Sequence, residues 1–208
     1  MRTKTIAATI LLAAAVGCAH MASNAPAEPG NDQVKAVLEG SFKALGQAGL
    51  DRLDQDDVQR ICSAASAGQG LSKEDAARIE KEQLATIKYP SDGYMGDWKN
   101  GEKIAQLGRG KQFSDNPHEP SGGNCYACHE LTKEEIAFGT IGPSLRNFGK
   151  NRGFTPEMQK YTYAKIYNSE AFAACSNMPR FGHMGILTEK QIKDVTALLM
   201  DPQSPVNK

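Results

Sequence analysis

Residues 122–130 read GGNCYACHE, and the interpretation of the whole chain depends on this stretch. Cys125 and Cys128 are separated by two residues, and His129 follows directly. Such a motif can belong to a zinc site, a redox-active disulfide or a covalently attached prosthetic group. Zinc needs four ligands, usually from a second Cys or His pair at matching spacing, which the remaining histidines do not offer. A thioredoxin-like pair would lie in a βαβ pattern, and the sequence has none.

The N-terminus has the residue order of an export signal. Arg2 and Lys4 precede the apolar run IAATILLAAAVG, which is too short for a stable membrane anchor. Two processing sites are open. Residues 15–18, AVGC, resemble a lipoprotein box in which Cys18 becomes the lipidated first residue, and residues 25–27, APA, form an ordinary cleavage site. We favour the first, with the signal at 1–17, and expect a periplasmic, oxidising location.

In an exported chain, C-x-x-C-H is the attachment signal of a c-type haem. Two thiols on one short helical turn can each add to one of the two haem vinyl groups, and the adjacent imidazole then points at the iron. We therefore predict one covalently attached haem c, bound through Cys125 and Cys128. His129 is predicted to be the proximal iron ligand.

The ligand on the other face of the iron must come from another part of the chain. The candidates are Met158, Met178, Met184, Met200, His183 and His118. We favour Met178 because Pro179 stiffens the loop directly after the thioether, and a weak neutral sulfur ligand must be held against the iron. Met178 also lies about 50 residues after the haem motif, a separation typical of small cytochromes c. Met184 and, less favoured, Cys175 remain alternatives.

Two further cysteines lie outside the haem motif. In an oxidising compartment, Cys62 and Cys175 are expected to form a disulfide, and two buried free thiols are the alternative. The sequence alone cannot show whether their Cα atoms come close enough to be bridged.

Apolar residues at helical spacing predict three helices between residues 33 and 89, the second over 54–66 and the third capped by Ser72. Further helices are predicted after Asp97 and after Thr188. Sustained period-2 alternation is absent, so the predicted fold class is all-α. We expect a linker and helical extension at 18–94, followed by a class I cytochrome c domain at 95–208.

The sequence around these sites resembles one cytochrome family in detail. Similar segments are GNCYACH at 123–129, GTIGPSL at 139–145, NMPRFG at 177–182 and DPQSPVN at 201–207. They look like the monohaem X subunits of the SoxAX sulfur-oxidation cytochromes. In class I cytochromes c, a proline carbonyl in a G-P-x-L turn accepts a hydrogen bond from the proximal histidine. By resemblance, Pro143 supplies that carbonyl and Leu145 packs on the haem.

The resemblance implies a periplasmic complex that acts as an L-cysteine S-thiosulfotransferase. In that family, the X subunit forms a heterodimer with a larger SoxA-type subunit, with one or two haems, which carries the catalytic haem. The complex oxidatively joins thiosulfate to a cysteine of the SoxYZ carrier. This chain would accept electrons from its partner and pass them to a soluble cytochrome c, without a catalytic residue of its own. The extension at 33–89 goes beyond the shorter family members.

Two other functions are compatible with the haem motif. One is a free-standing periplasmic electron shuttle without an obligate partner, and the other is a lipid-anchored haem protein that serves as a sensor or scaffold. The formal net charge of zero gives no indication of nucleic-acid binding. We expect membrane contact only if Cys18 is lipidated.

Overall fold

A computed structural model describes residues 31–208, a range that contains helices, turns and loops but no β-strand. The all-α prediction is confirmed for this range. Seven α-helices occur in order: α1 (Asn31–Ser41), α2 (Asp57–Ala64), α3 (Lys73–Ala85), α4 (Trp98–Gln106), α5 (Phe148–Arg152), α6 (Pro156–Tyr167) and α7 (Glu189–Met200). None of the helices in 31–208 has the length and apolarity needed to span a membrane. The predicted export signal, both processing sites and Cys18 lie outside the described residues.

Helices α4 and α7 pack together at the centre of the C-terminal part. Their backbones approach closely at Gly101, where an added Cβ would lie 2.7 Å from the carbonyl carbon of Asp194. Asp194 also accepts a hydrogen bond from the backbone N–H of Asp97, at 2.8 Å, just before α4 begins. Ala105 and Leu198 are fully buried in the shared core. The two helices predicted on either side of the haem motif therefore form one packed unit.

Helix α6 is a full helix of 12 residues that the apolar periodicity of the sequence did not predict. Its beginning is well marked, because Thr155 caps it by accepting a hydrogen bond from the N–H of Met158 and Pro156 occupies the first turn. Most of its second half is buried, polar residues included, so the helix has no single apolar stripe. Periodicity therefore gave little signal.

The extension forms helices at the predicted places but with different ends. Ser72 caps α3, its Oγ accepting a hydrogen bond from Asp75 N at 2.9 Å. The second helix is shorter than the predicted span 54–66, because a capping box between Asp56 and Gln59 sets its start. Its last part becomes a π-helical turn in which Gly68 has a φ of 98°. A non-glycine residue would be strained there.

The extension packs against the rest of the chain through α3. The side of α3 that carries the buried Ile79 and Gln83 faces the short 3₁₀ helix Ser169–Ala171, which directly follows α6. Buried Asn168 donates a hydrogen bond to Gln83 Oε1 at 3.0 Å. The extension and the C-terminal part therefore share a polar, hydrogen-bonded contact that ends close to the segment holding Met178.

Residues near position 207 connect α5 to α7 through hydrogen bonds. Asn207, in the 3₁₀ helix Pro205–Asn207, is 1% exposed. Its Oδ1 accepts hydrogen bonds from Gly149 N at 2.9 Å and Lys150 N at 3.3 Å, which are free donors at the start of α5. Its Nδ2 donates to Leu199 O at 3.0 Å and Asp201 O at 2.9 Å, at the end of α7. One buried amide thus joins two helix ends.

Candidate haem-binding site

The C-x-x-C-H motif forms a single tight turn. Residues Cys125–Ala127 are a 3₁₀ helix, entered through Asn124 in the left-handed conformation with a φ of 46°. The N–H of Cys128 and the N–H of His129 both donate to the carbonyl of Cys125, at 3.1 and 2.9 Å. Both cysteines are free, half-buried thiols. The turn therefore brings two thiols and one imidazole into a short stretch of chain.

The sulfur of Cys125 lies in apolar surroundings. A Cβ added at Gly123 would be 3.1 Å from this sulfur and 3.7 Å from Leu187 Cδ1, so the space between them is narrow. Burial raises the pKa of the Cys125 thiol to about 12. A backbone hydrogen bond lowers this pKa in part, and the nearby Cys128 adds to the increase. The Cys125 sulfur therefore packs against the hydrophobic core, in surroundings that suit an uncharged sulfur.

The ring of His129 is oriented by the loop that follows the motif. Its Nδ1 lies 2.7 Å from the carbonyl oxygen of Pro143. Two backbone bonds fold this loop over the motif, from Gly142 N to Cys128 O at 2.8 Å and from Leu145 N to Glu130 O at 2.7 Å. With Nδ1 donating to Pro143, the other ring nitrogen carries the lone pair that a metal needs.

Close packing also constrains the His129 ring. A Cβ at Gly142 would overlap the imidazole, reaching 2.7 Å from its Nε2, so only glycine fits beside the ring. Sequence reasoning singled out the Gly-Pro turn for Pro143 but did not assign a role to Gly142. The available signal was the position of this glycine directly before the proline, in the loop expected to reach the histidine.

The structure separates the candidates for the second axial ligand. Met178 is half-buried and packs against the hydrophobic core that Cys125 and Leu145 also contact. Met184 is 51% exposed, whereas Met200 is completely enclosed within α7 and the core. His183 is engaged elsewhere, its Nδ1 lying 3.2 Å from Thr86 Oγ1. His118 is exposed, and Met158 is half-buried in α6. Iron binding by Met178 stays a prediction, and these surroundings favour it over the alternatives.

Cys62 and Cys175 form a disulfide in the structure, with their Cα atoms 5.3 Å apart. This bridge joins α2 of the extension to the segment that precedes Met178. Cys175 has a φ of 61°, in the left-handed region that a non-glycine residue adopts rarely. Its thiol is consumed by the bridge, so the alternative of Cys175 as an iron ligand requires the disulfide to be absent.

A cavity of about 680 Å³ opens where α2 faces the segment around Met178. Polar side chains of α2, among them Gln59 and Ser63, line one side of it. Met178, Met184 and Ile186 line the other side. Met178 is thus next to open space on the side of α2 rather than enclosed in protein on all sides.

Arg180 was not assigned a role by the sequence reasoning. It is 8% exposed, and its guanidinium lies 2.6 Å from Asp56 Oδ2 and 3.4 Å from Gln83 Oε1, both in the extension. No sequence pattern links positions so far apart, since the contact depends on how the extension packs. Its existence could be read only from the three-dimensional structure.

The residues present fit a covalently attached haem. The motif offers two free thiols and an imidazole with one ring nitrogen fixed by Pro143, and the glycine beside that ring leaves no room for a side chain. In residues 31–208, no three His, Cys, Asp or Glu side chains cluster in a way that could hold a separate metal ion. The two thiols and the oriented imidazole are therefore suited to a covalently attached haem, with His129 predicted as an iron ligand.

Comparison with known proteins agrees with this site. The profile of the family described as Cytochrome c matches residues 107–201. A protein of Aquifex aeolicus (strain VF5), described as an uncharacterized lipoprotein, is 40% identical over 220 residues, and the alignment covers 100% of both chains. The matched family region contains the C-x-x-C-H turn, the Pro143 loop and the segment around Met178.

Proposed function

Because this chain belongs to the cytochrome c family, we propose that it is an electron-transfer protein with one haem c, and that it serves as the monohaem subunit of a SoxAX-type thiosulfate-oxidising complex. The observation that carries the electron-transfer function is the turn in which the free thiols of Cys125 and Cys128 precede a His129 ring held by Pro143. The SoxAX assignment is the finer proposal, supported by the sequence resemblance at 123–207.

Bound haem c supplies a one-electron carrier, and this chain's residues attach and orient it. Cys125 and Cys128 hold the group covalently, so it stays bound where the protein shell around it is thin. Pro143 fixes the ring plane and tautomer of His129. Met178 would supply the second ligand, and thioether ligation together with an imidazole would raise the reduction potential. A raised potential suits a subunit that receives electrons from a partner.

In the proposed complex, the chain positions and tunes its haem and makes no bond with the sulfur substrate. A larger SoxA-type partner carries the catalytic haem and joins thiosulfate to a cysteine of the SoxYZ carrier. A soluble cytochrome c then accepts the electrons. Ile136 and Ile141 are highly exposed in the loop after the motif, and such apolar side chains near a haem edge suit a contact with a partner protein.

We propose that the protein is exported and anchored by lipid at Cys18 in the periplasm. The lipoprotein-like residues 15–18 support this, as does the description of the Aquifex relative as a lipoprotein. Expression of the full-length chain with Cys18→Ser tests the anchor. Mass spectrometry of the wild-type chain extracted from the membrane fraction should show a lipid-modified Cys18 as the first residue, and the variant should lack this modification; an unmodified wild-type N-terminus would contradict lipidation at this residue.

The function is tested by following haem absorbance of the native protein through size-exclusion chromatography and identifying co-eluting chains by mass spectrometry. A one-to-one complex with a larger cytochrome, which reduces a soluble cytochrome c when given thiosulfate and the SoxYZ carrier, is the expected result. A haem-bearing monomer would overturn the subunit proposal and leave the free-standing shuttle. A purified chain without covalent haem, although co-expressed with the attachment machinery, would overturn electron transfer itself.

A further inference from the structure

We propose that the N-terminal extension is a clamp that holds the Met178 loop (residues 172–187), and that Arg180 is a positioning residue for the axial methionine. This inference rests on the proposed function, since it takes His129 and Met178 as the iron ligands. It assigns a task to residues 56–86, for which the sequence gave only a structural role.

The Met178 loop needs external support. It lies between the 3₁₀ helix Ser169–Ala171 and α7, and it contains neither helix nor strand. The domain holds the loop near Met178 by a bond from Ser169 Oγ to Met178 O at 2.5 Å, and within the loop Met178 N donates to Ser176 Oγ at 3.2 Å. The next backbone bonds to the domain come after the methionine, from Gly182 N and His183 N to Tyr167 O at 3.0 and 3.1 Å. A neutral thioether binds iron weakly, so the fraction of molecules with sulfur on the metal depends on how firmly the loop is held.

The first attachment lies before the methionine. The disulfide between Cys62 and Cys175 joins the loop covalently to α2, three residues before Met178. Next to it, Ala174 N donates to Glu80 Oε1 of α3 at 3.2 Å. From inside the domain, Cys175 N donates to Glu170 Oε2 at 2.6 Å. These contacts hold Cys175 in the left-handed conformation, which would otherwise be unfavourable for a non-glycine residue.

The second attachment lies after the methionine. Buried Arg180, two residues beyond Met178, forms an ion pair with Asp56 at 2.6 Å and a weaker contact with Gln83. His183 and Thr86 lie within hydrogen-bond distance further along the loop. A charge-assisted hydrogen bond to a buried guanidinium is among the stronger polar contacts in proteins. Removing the carboxylate would leave the buried positive charge of the guanidinium unpaired.

The distribution of these contacts distinguishes a clamp from a general cover. Every hydrogen bond, ion pair and disulfide that the structure describes between residues 56–86 and the cytochrome domain ends on residues 168–183. The turn that carries Cys125, Cys128 and His129 receives none of them. Residues 56–86 therefore act on the segment that carries Met178. Elsewhere the extension contacts the domain through Gln47 and Arg52, which donate to backbone carbonyls of residues 111–115, and through Lys88 O, which accepts a hydrogen bond from the Tyr163 hydroxyl.

The test measures binding of imidazole to the ferric, haem-loaded, full-length protein. Imidazole occupies the iron position that the methionine vacates, so its apparent affinity reports how often the loop opens. The Asp56→Asn variant keeps the Oδ1 atom that caps α2 but places an amide NH₂ group, which is a donor, against the Arg180 guanidinium. It should raise the apparent affinity for imidazole about tenfold, equivalent to about 1.4 kcal/mol. The double variant Cys62→Ser with Cys175→Ser should raise it further.

Two controls make this result specific. Asp57→Asn is the matched control, since Asp57 is the neighbouring carboxylate and pairs with exposed Arg60 on the solvent side of α2. Asp97→Ala removes the cap of α4, far from the loop contacts, and lowers global stability. Both should leave imidazole affinity unchanged if the effect is one of ligand positioning.

The possible outcomes separate the clamp from the function on which it rests. The wild-type ferric protein should show the weak red absorption band of thioether-ligated haem, and Met178→Ala should abolish it. If the band survives in Met178→Ala, the assumed ligand is wrong and the clamp falls with it. If the ligand is correct but Asp56→Asn and the double cysteine variant bind imidazole like wild type, the clamp alone is refuted. An equal increase in Asp57→Asn or Asp97→Ala would also refute it.

Discussion

Replacing Asn207 by alanine should destabilise the fold more than any ordinary surface change. The substitution removes four hydrogen bonds at once and leaves the donors of Gly149 and Lys150 and the acceptors Leu199 O and Asp201 O without this partner. A typical intramolecular bond contributes about 1 kcal/mol net, and the 3.3 Å contact with Lys150 N is the weakest of the four. We expect a loss of about 3 kcal/mol, a large share of the 5–15 kcal/mol by which domains are usually stable.

Urea denaturation of the haem-loaded protein, followed by far-ultraviolet circular dichroism, measures this loss. With a slope of about 2 kcal/mol per molar, the midpoint should fall by about 1.5 M. The matched control is Asn151→Ala, which removes an exposed asparagine from the same helix α5 and should leave the midpoint nearly unchanged. If the two variants differed by less than about 1 kcal/mol, the buried amide would not join the helix ends as argued.

Three further predictions concern single residues. Gly142→Ala should disturb the His129 ring and reduce the yield of low-spin haem protein, measured by the Soret absorbance per chain, whereas Gly40→Ala, which meets open space, should not. Asp97→Ala should cost about 1 kcal/mol in urea denaturation through the lost cap, and no loss would contradict the capping role. Burial opposes ionisation of Asp56, but hydrogen bonds from Gln59 N and Arg180 lower its pKa overall. Its contribution is therefore present above the unfolded pKa of about 3.9 and lost as pH falls through the lower folded value, so the stability difference from Asp56→Asn should shrink below about pH 4.

The sequence predicted the parts of the fold that depend on local chemistry. Ser72 and Thr188 cap helices as expected, and Asp97 caps the helix that was predicted to follow it, because a side-chain oxygen satisfies a backbone donor two or three residues away. The extent of α6 was not predicted, because it depends on burial within the fold rather than on local chemistry. A helix surrounded by protein shows no alternation of apolar and polar faces, and only Thr155 and Pro156 marked its start.

The candidate site likewise has one part that local sequence predicted and one part that depends on tertiary packing. The two thiols and the imidazole belong to one local motif, whose spacing in an exported chain indicated the chemistry, and the family resemblance indicated the role of Pro143. The contact between Arg180 and Asp56 joins residues 124 positions apart, and it depends on the packing of two helices that carry no chemical motif. Such contacts leave no local pattern in a single sequence, so the role of the extension could not be predicted.

The two proposed axial ligands should therefore respond differently when the protein is partly denatured. His129 is bonded to Pro143, 14 residues away in the same folded loop, and the covalent thioethers keep the haem beside it. Met178 lies in a loop without helix or strand that is joined to the extension by a disulfide and an ion pair, and such a segment can open with a lower free energy than global unfolding. In urea, the red thioether band should disappear at a lower concentration than the helical circular dichroism signal, and the gap should widen in Asp56→Asn. Coincident transitions in both proteins would mean that the methionine side is as firmly held as the core, and that the extension adds nothing specific to it.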